Sequence, residues 1–570
     1  MRAQLIFRVR ILSALFIIAA LILIARLYLV QVVHGDSYRE EATGQYIVEA
    51  PDIQDRGDIF FTLRDGSEVA AAVMQSGWRI AIQPKIMTNP DSVYAALSEV
   101  IEVDSERFFE SAAKVSDPYE EIAFRVNDED ADTIRAKKLD GVLVVRDEWR
   151  RYPGEELAAH AVGFVGYKGD KKEGVYGLER YYQDTLKRSS TDLYVNPFAE
   201  IFTNVAAAVS GSSVSREGSL ITTIEPNVET QLERVLGEIM DTYSPRRAGG
   251  IVMDPKTGEI VAIAVTPTFD PNTYNTVDDS SVFTNPMVEG LYEMGSIVKP
   301  LTMAAGIDVG AVTPETTYDD KGCVMKSGAR VCNFDGKGRG VVPMQEVLSQ
   351  SLNTGVSFVV DTMGKEAFAD YMHAYGLGEE TGIDLPNEVA GNINALDGNS
   401  DVDFASASFG QSIAVTPIAM IRALAALANN GILAEPHVGK AVRYPSGAIK
   451  EIPQAPEKRV LKEETAETVT RMLIKVFDDA LLGGEFKQER YSIAAKTGTA
   501  QIARPECGGY CDGRFLHSFF GYFPAHEARF IVFLFAIEPQ GEIYASHTLA
   551  RPFFDITKFL INYYDIPPDR

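Results

Sequence analysis

The longest apolar stretch of the sequence lies near its beginning. Residues 11–33 hold a single charge, an arginine, and this run of 23 residues exceeds the about 20 residues with which a helix spans a bilayer. The pattern predicts a transmembrane anchor. Three arginines precede the run, which places residues 1–10 in the cytoplasm and everything after the run outside. A cleaved signal peptide is the alternative, but the run is long for one and the nearest small-residue site, at 42–44, lies well beyond it.

Shorter apolar patterns divide the rest of the chain into two regions. In residues 34–215, strand-like and helix-like pieces are mixed, for example a strand over 75–87 and then a helix over 89–103. Residues 206–219 are small and polar, as linkers are. We therefore expect one mixed domain over 34–215 and a second domain over 216–570.

The pattern of the second region indicates an α+β domain. Apolar strands are predicted at 220–224, at both arms of a hairpin over 249–265, and at 517–524 and 529–537, with amphipathic helices at 225–243 and 550–564. A long helical insertion separates the early strands from the late ones. This order favours an antiparallel sheet whose faces are covered by helices.

Charge and cysteine content narrow the possible partners and chemistry. The 54 basic and 80 acidic residues give a net charge of −26, which repels phosphate backbones and argues against a nucleic-acid partner.

Four cysteines occur as two close pairs, Cys323 with Cys332 and Cys507 with Cys511. Outside the cytoplasm such pairs favour local disulfides. A single zinc ion held by all four thiolates stays open as the alternative, although the spacings do not match a usual zinc knuckle.

A serine and a lysine stand one helical turn apart at the start of a predicted helix. Ser296 and Lys299 open the segment that continues through 300–310, and positions i and i+3 share a helix face, so the hydroxyl and the amine can come within hydrogen-bond reach. Free backbone N–H groups at a helix N-terminus also favour developing negative charge. A lysine among apolar residues here either reaches water or is placed for chemistry.

Two further motifs lie downstream, Ser351-Leu352-Asn353 and Lys496-Thr497-Gly498-Thr499. The residues just before Lys496 are mostly apolar, which predicts that this motif lies on an edge strand beside a cleft. Each motif is weak alone, because Ser351 could be a helix cap and the lysine motif could be a turn. In this order they form, with Ser296 and Lys299, the set found in penicillin-binding proteins and class A β-lactamases.

With these motifs the sequence resembles the class B penicillin-binding proteins over nearly its whole length. The similar segments are RGDIF at 56–60, RRYPGEELAAHAVGFVG at 150–166, GVYGLERYYQDTL at 174–186, IVMDPKTGEIVAIAVTPTFDPN at 251–272 and FGQSIAVTPIAM at 409–420. One departure is FFTLRDGSEVA after Ile59, where the family usually has Asp-Arg-x-Gly. The resemblance implies a pedestal (dimerisation-type) domain over 34–215 and a transpeptidase domain of the β-lactamase/transpeptidase type over 216–570.

The resemblance also implies a peptidoglycan D,D-transpeptidase of cell division or elongation. Such an enzyme is anchored once in the bacterial inner membrane with its catalytic domain outside the cytoplasm. It takes peptidoglycan stem peptides as substrates and binds β-lactam antibiotics. A polytopic, glycan-polymerising membrane protein and other division or elongation proteins are the implied partners. The implied chemistry needs no metal and no organic cofactor.

The family's site residues carry over onto the three motifs. Ser296 is then the nucleophile and Lys299 its base, since none of the seven histidines falls within the motifs. Ser351 relays the proton to the leaving amine, and Asn353 holds Lys299 and the substrate amide. The residues expected to bind the terminal carboxylate are Lys496, Thr497 and Thr499, and the backbone N–H groups of Ser296 and Thr499 are expected to form the oxyanion hole.

Three alternatives remain for the function. A β-lactamase or a D,D-carboxypeptidase shares the motifs, but both usually lack an anchor and a long pedestal. A penicillin sensor or catalytically silent division scaffold would use only the anchor and pedestal, and the intact motifs argue against it. A bifunctional enzyme that also polymerises glycan is disfavoured, because residues 34–215 lack the Glu-Asp pattern expected of a glycosyltransferase.

Overall fold

The computed structural model describes residues 56–169, 171–188 and 217–570, which belong to one compact unit. The predicted anchor at 11–33 and most of the predicted linker lie outside these residues. Within the described ranges, no helix combines the length and the apolar character that crossing a membrane requires.

The N-terminal region is a mixture of strands and short helices, as predicted. Its strands are β1 (Ile59–Thr62), β2 (Glu68–Ile82), β3 (Glu120–Val126), β4 (Val142–Arg151), β5 (Val165–Lys168) and β6 (Lys171–Gly174). Its helices are α1 (Pro90–Ser98), α2 (Ser105–Ala112), α3 (Asp128–Lys137), α4 (Ala159–Val162), α5 (Gly177–Tyr181) and α6 (Gln183–Leu186). The strand expected at 75–87 and the helix expected at 89–103 correspond to part of β2 and to α1.

A buried ion cluster ties together three segments of this region. Glu179 has no exposed surface, and its two carboxylate oxygens accept from the Nε atoms of Arg56 and Arg150, each at 2.6 Å. The Tyr152 hydroxyl is 3.4 Å from the same carboxylate. Because the two arginines come from the beginning of the region and from β4, one acid crosslinks segments that are far apart in sequence.

The C-terminal region is larger and contains the main sheet. Its strands are β7 (Ser219–Thr222), β8 (Arg247–Met253), β9 (Ile260–Thr266), β10 (Thr317–Asp320), β11 (Cys323–Lys326), β12 (Ala329–Cys332), β13 (Gly340–Pro343), β14 (Ile432–Leu433), β15 (Gly439–Arg443), β16 (Ile449–Glu451), β17 (Lys458–Arg459), β18 (Ala494–Arg504), β19 (Gly509–Phe523) and β20 (Phe530–Ile537). Its helices are α7 (Pro226–Tyr243), α8 (Pro286–Glu289), α9 (Lys299–Asp308), α10 (Met344–Ser349), α11 (Asn353–Met363), α12 (Lys365–Ala374), α13 (Asp401–Ala407), α14 (Pro417–Ala428), α15 (Glu463–Lys475) and α16 (Ala545–Tyr563).

Five antiparallel strands form the main sheet in the order β18-β19-β20-β8-β9. Every residue of β20 is buried, and alternate residues belong to two different cores: Val532 and Leu534 pack with α7 and α16, and Phe533 and Phe535 with the helical insertion. A strand covered on both faces reads as one apolar run because successive side chains point to opposite sides. The predicted α+β architecture, a sheet covered by helices, is confirmed.

A second sheet of seven strands joins the two regions. Its order is β16-β15-β7-β1-β2-β3, with β4 also paired to β2. Strand β7, which follows the predicted linker, pairs in parallel with β1 and antiparallel with β15. Backbone hydrogen bonds therefore run directly between the N-terminal and C-terminal regions. The segment that departs from the family pattern after Ile59 forms the end of β1, the hairpin turn and the start of β2, and Gly66 in the turn has a φ of +82°.

Candidate active site

Ser296 lies in a short 3-10 turn over Gly295–Val298 that runs directly into α9. The first amide of the turn donates to the carbonyl of Gly410 at 3.1 Å, and the preceding Met294 carbonyl accepts from the Ser518 hydroxyl at 2.9 Å. A side chain at Gly410 would come within 2.3 Å of the turn's backbone oxygen, so only glycine allows this approach. The turn is therefore held from both sides, and the half-buried Ser296 lines a cavity.

Lys299 is the first residue of α9 and has no exposed surface. Its amine donates to the backbone carbonyl and, at 3.1 Å, to the hydroxyl of Ser351. Burial, and secondarily the nearby charge of Lys496, hold the pKa of Lys299 well below its ordinary value. No carboxylate of the described residues pairs with Lys299, so the neutral amine is the favoured form and can accept a proton.

Ser351 lies in the turn between α10 and α11, where its φ of 56° is in the left-handed region. Its hydroxyl accepts from two amines, Lys299 Nζ and Lys496 Nζ, each at 3.1 Å. A hydroxyl has two acceptor positions and one donor. Because both acceptor positions are taken, the hydroxyl hydrogen remains available to a third group. Ser351 thus connects the two lysines of the site.

Lys496 lies on β18, the edge strand of the main sheet, as predicted. Lys496 is 3% exposed, and its amine also donates to the Thr497 carbonyl at 3.0 Å. Burial lowers the pKa of Lys496 to about 7. A bound carboxylate would favour the charged amine and raise this pKa, so the site is suited to an anion.

A cavity of about 760 Å³ brings most of the predicted site residues together. Ser296, Ser351, Asn353, Lys496, Thr497 and Thr499 all line it. Lys299 lies behind this wall, where it contacts Ser351. The predicted cleft beside the edge strand is therefore present, with hydroxyls, the Lys496 amine and amide side chains on its surface.

Gly498 lies where β18 packs tightly against the nucleophile turn. A Cβ atom at Gly498 would lie 2.3 Å from Ser518 Oγ and 2.7 Å from the Met294 carbonyl oxygen. No other residue fits without displacing one of these groups. Gly498 thus allows the edge strand to lie against the backbone of the nucleophile turn.

Asn353 lines the cavity but makes a contact different from the expected one. Its side-chain amide donates to the Cys332 carbonyl at 2.8 Å. Among the hydrogen bonds of the described residues there is none between Asn353 and Lys299. Lys299 donates to Ser351 instead, through the backbone carbonyl and the hydroxyl of that residue.

The four cysteines form two local disulfides, Cys323–Cys332 and Cys507–Cys511. These are the pairs that the spacing favours over a shared zinc ion. The first closes the β11–β12 hairpin, whose Cys332 carbonyl contacts Asn353. The second links Cys507 to Cys511 at the tip of the hairpin between β18 and β19. The Cys332 carbonyl thus lies directly behind Asn353, which lines the cavity, whereas none of the four cysteines is itself among the residues that line it.

The sequence motifs do not single out several residues that lie near the cavity. Glu293, three positions before Ser296, accepts from the Ser412 amide at 2.7 Å and from the Tyr510 hydroxyl at 3.1 Å. These bonds join the nucleophile turn to the second disulfide loop. The available signal is an acid three positions before Ser296, but nothing in the sequence points to partners that are more than a hundred residues away. Ser518 carried a clearer signal, a polar residue inside an otherwise apolar strand.

Comparison with known proteins agrees with this geometry. Residues 248–557 match the family described as penicillin binding protein transpeptidase domain, and residues 55–198 match the penicillin-binding protein dimerisation domain. Stage V sporulation protein D of Bacillus subtilis is 30% identical over 531 residues, covering 92% of this chain and 80% of the relative. Peptidoglycan D,D-transpeptidase FtsI of Escherichia coli K12 is 27% identical over 445 residues, covering 76% and 70%.

A solved structure is similar as well. The apo crystal structure of penicillin binding protein 3 from Mycobacterium tuberculosis matches 74% of this chain and 92% of its own, at a TM-score of 0.65 and 27% identity. The transpeptidase match alone spans more than half of the 570 residues. The chain belongs to the class B penicillin-binding proteins.

Proposed function

We propose that this protein is a peptidoglycan D,D-transpeptidase in which Ser296 carries the acyl group. The observation that carries the proposal is the Ser351 hydroxyl, which accepts from both Lys299 and Lys496 and lies with Ser296 on the wall of one cavity. Acyl transfer to serine needs a base that accepts the hydroxyl proton, and the neutral buried amine can serve as that base. The bridging hydroxyl can pass the proton on, and the second amine can bind an anionic substrate group.

In the first step, the Ser296 oxygen attacks the carbonyl carbon between the last two D-alanines of a donor stem peptide. Its proton passes to the neutral Lys299 amine. The C–N bond then breaks, and the departing amine of D-alanine receives a proton through the Ser351 hydroxyl. The product is an ester of Ser296, and Lys299 is neutral again once the proton has left. The burial of Lys299 supports its role as the base.

In the second step, the amine of a neighbouring stem peptide attacks the ester. The attacking amine loses a proton along the same route, Ser296 recovers its own, and a new amide bond crosslinks the two peptides. The backbone N–H groups of Ser296 and Thr499 would stabilise the oxyanion in both steps. Lys496, Thr497 and Thr499 would bind the terminal carboxylate of the donor, and Asn353 would contact its amide.

We also propose that residues 1–10 are a cytoplasmic tail and that residues 11–33 hold the protein in the bacterial inner membrane. Residues 34–215 are then a pedestal, and 216–570 a catalytic domain outside the cytoplasm. The length of the apolar run and the arginines before it support this arrangement. A polytopic glycan-polymerising protein is the proposed partner, because crosslinking needs newly made glycan beside the membrane.

A donor peptide ending in D-Ala-D-Ala, offered with and without a D-amino acid as acceptor amine, tests the activity. The full-length protein in detergent is expected to release D-alanine and to form the amide product when the amine is present. Ser296→Ala should do neither. Release of D-alanine with water as the only acceptor would identify a carboxypeptidase, fast turnover of penicillin a β-lactamase, and no acylation at all a silent scaffold.

A further inference from the structure

Strand β19 carries two adjacent polar residues, His517 and Ser518, within an otherwise apolar run, and both are fully buried. Successive side chains of a strand point to opposite faces. Ser518 reaches the nucleophile turn on one face, through the Met294 carbonyl. His517 therefore lies on the other face, against the first turn of α16, and the chemistry proposed above gives it no role.

His517 is held by two hydrogen bonds. Its Nε2 is 2.9 Å from the Ile543 carbonyl oxygen, and its Nδ1 is 2.8 Å from the Thr548 hydroxyl. A carbonyl only accepts, so Nε2 carries the proton, and in a neutral ring Nδ1 then accepts from Thr548. Burial lowers the pKa of His517 to about 4, which keeps the ring neutral at neutral pH. The ring thus fixes both sides of the segment that begins α16.

The segment held by His517 contacts the cavity through Thr499. The backbone N–H of Ala545, two residues after Ile543, donates to the Thr499 hydroxyl at 3.1 Å, and Thr499 and His517 are cross-strand partners. With an acceptor position occupied by this N–H, the hydroxyl hydrogen is left for an acceptor inside the cavity. Thr499 and Ala545 both line that cavity.

We propose that His517 is a positioning residue for carboxylate recognition. It fixes the Ile543–Ala545 segment, and the Ala545 N–H then orients the Thr499 hydroxyl as a donor to the carboxylate of the donor peptide or of a β-lactam. The inference rests on the proposed function, in which Thr499 binds that carboxylate. His517 acts only through Thr499, so its loss weakens the recognition of an anion more than it weakens acylation in general.

Benzylpenicillin and its methyl ester separate these two effects. They share the β-lactam ring, and only the first carries the carboxylate. The readout is the carboxylate preference, defined as the second-order rate constant for acylation by benzylpenicillin divided by that for the methyl ester. A variant that merely loosens the fold lowers both rate constants and leaves the preference unchanged.

Four variants of the full chain are compared with the wild type. His517→Phe keeps the ring volume and removes both hydrogen bonds, and it is expected to lower the preference about tenfold, the loss of one hydrogen bond to a charged group. His517→Gln keeps a donor for Ile543 and should restore most of the preference. Thr548→Val removes the Nδ1 partner, together with the longer contact of 3.3 Å between the Thr548 hydroxyl and the Ala545 carbonyl, and should lower the preference about threefold. Thr557→Val is the control. It removes a buried hydroxyl of the same helix that has no hydrogen-bond partner among the described residues, so the preference should not change.

An unchanged preference in His517→Phe, with both rate constants reduced alike, would overturn the inference. If His517→Phe does not fold, Thr548→Val decides: a reduced preference supports the positioning role, and an unchanged one refutes it. Failure of the proposed function is recognised separately, because then benzylpenicillin does not acylate the wild-type protein at Ser296.

Discussion

The charge of Lys496 makes the acylation rate depend on pH in a defined direction. Burial lowers the pKa of this amine to about 7, whereas an ordinary lysine stays charged to well above pH 9. A lysine with a lowered pKa loses its charge as the pH rises through the lowered value. The free protein therefore loses the charge of Lys496, the proposed carboxylate-binding group, above neutral pH. Below pH 7 the charge of Lys496 is retained.

The size of the effect follows from the fraction of charged amine. With a pKa of about 7, Lys496 is about half charged at pH 7 and about 1% charged at pH 9, so the second-order rate constant with benzylpenicillin should fall roughly 50-fold between these values. The pH dependence of that constant reports the pKa values of groups in the free protein. The limiting rate at saturating penicillin should change much less, because the bound carboxylate raises the pKa of Lys496.

Stopped-flow measurement of acylation across this pH range is the assay, and Lys496→Arg is the matched control. A guanidinium stays charged throughout, so this variant should show no decline between pH 7 and 9, even if its absolute rate is lower. A wild-type rate constant that stays flat over the range would refute the reasoning. So would a decline of the same size in Lys496→Arg, which would assign the titration to another group.

Three further outcomes are expected. Glu179→Gln should lower the free energy of unfolding by about 3–5 kcal/mol in chemical denaturation, because two buried arginines lose their counterion; wild-type stability in this variant would contradict the role of the ion cluster. Gly498→Ala should slow acylation by penicillin about hundredfold, since its Cβ displaces groups beside the nucleophile turn, and an unchanged rate would show that the close approach is not needed. Replacing Cys323 and Cys332 together by serine should slow acylation about tenfold, because it releases the carbonyl that accepts from Asn353. The melting temperature should fall by only a few degrees. A large fall in melting temperature with an unchanged acylation rate would show that this disulfide is purely structural.

The elements with strong local patterns were predictable from the sequence. Helix α7 begins at Pro226 after a capping acid and has a regular apolar stripe, and β20 is an unbroken apolar run. The three motifs also pointed to one cavity, because their chemistry is linked even though their positions are not. Such signals depend on neighbouring residues or on known sets of side chains.

Features that depend on distant pairing were not predictable. The pairing of β7 with β1 and β15 joins segments more than 150 residues apart, and no local pattern specifies it. The partner of Asn353 depends on where the first disulfide hairpin lies. In the sequence His517 is only one residue of an apolar strand, because its partners Ile543 and Thr548 come near it only when α16 packs on the sheet.

The central claim is that Ser296 is the residue acylated through Lys299. Mass spectrometry of the intact protein after treatment with benzylpenicillin tests it most directly, with peptide mapping to locate the adduct. The wild type is expected to gain one penicilloyl group, located on Ser296, while Ser296→Ala gains none and Lys299→Met gains it far more slowly. An adduct that persists on Ser296→Ala, or that maps to Ser351, would contradict the account.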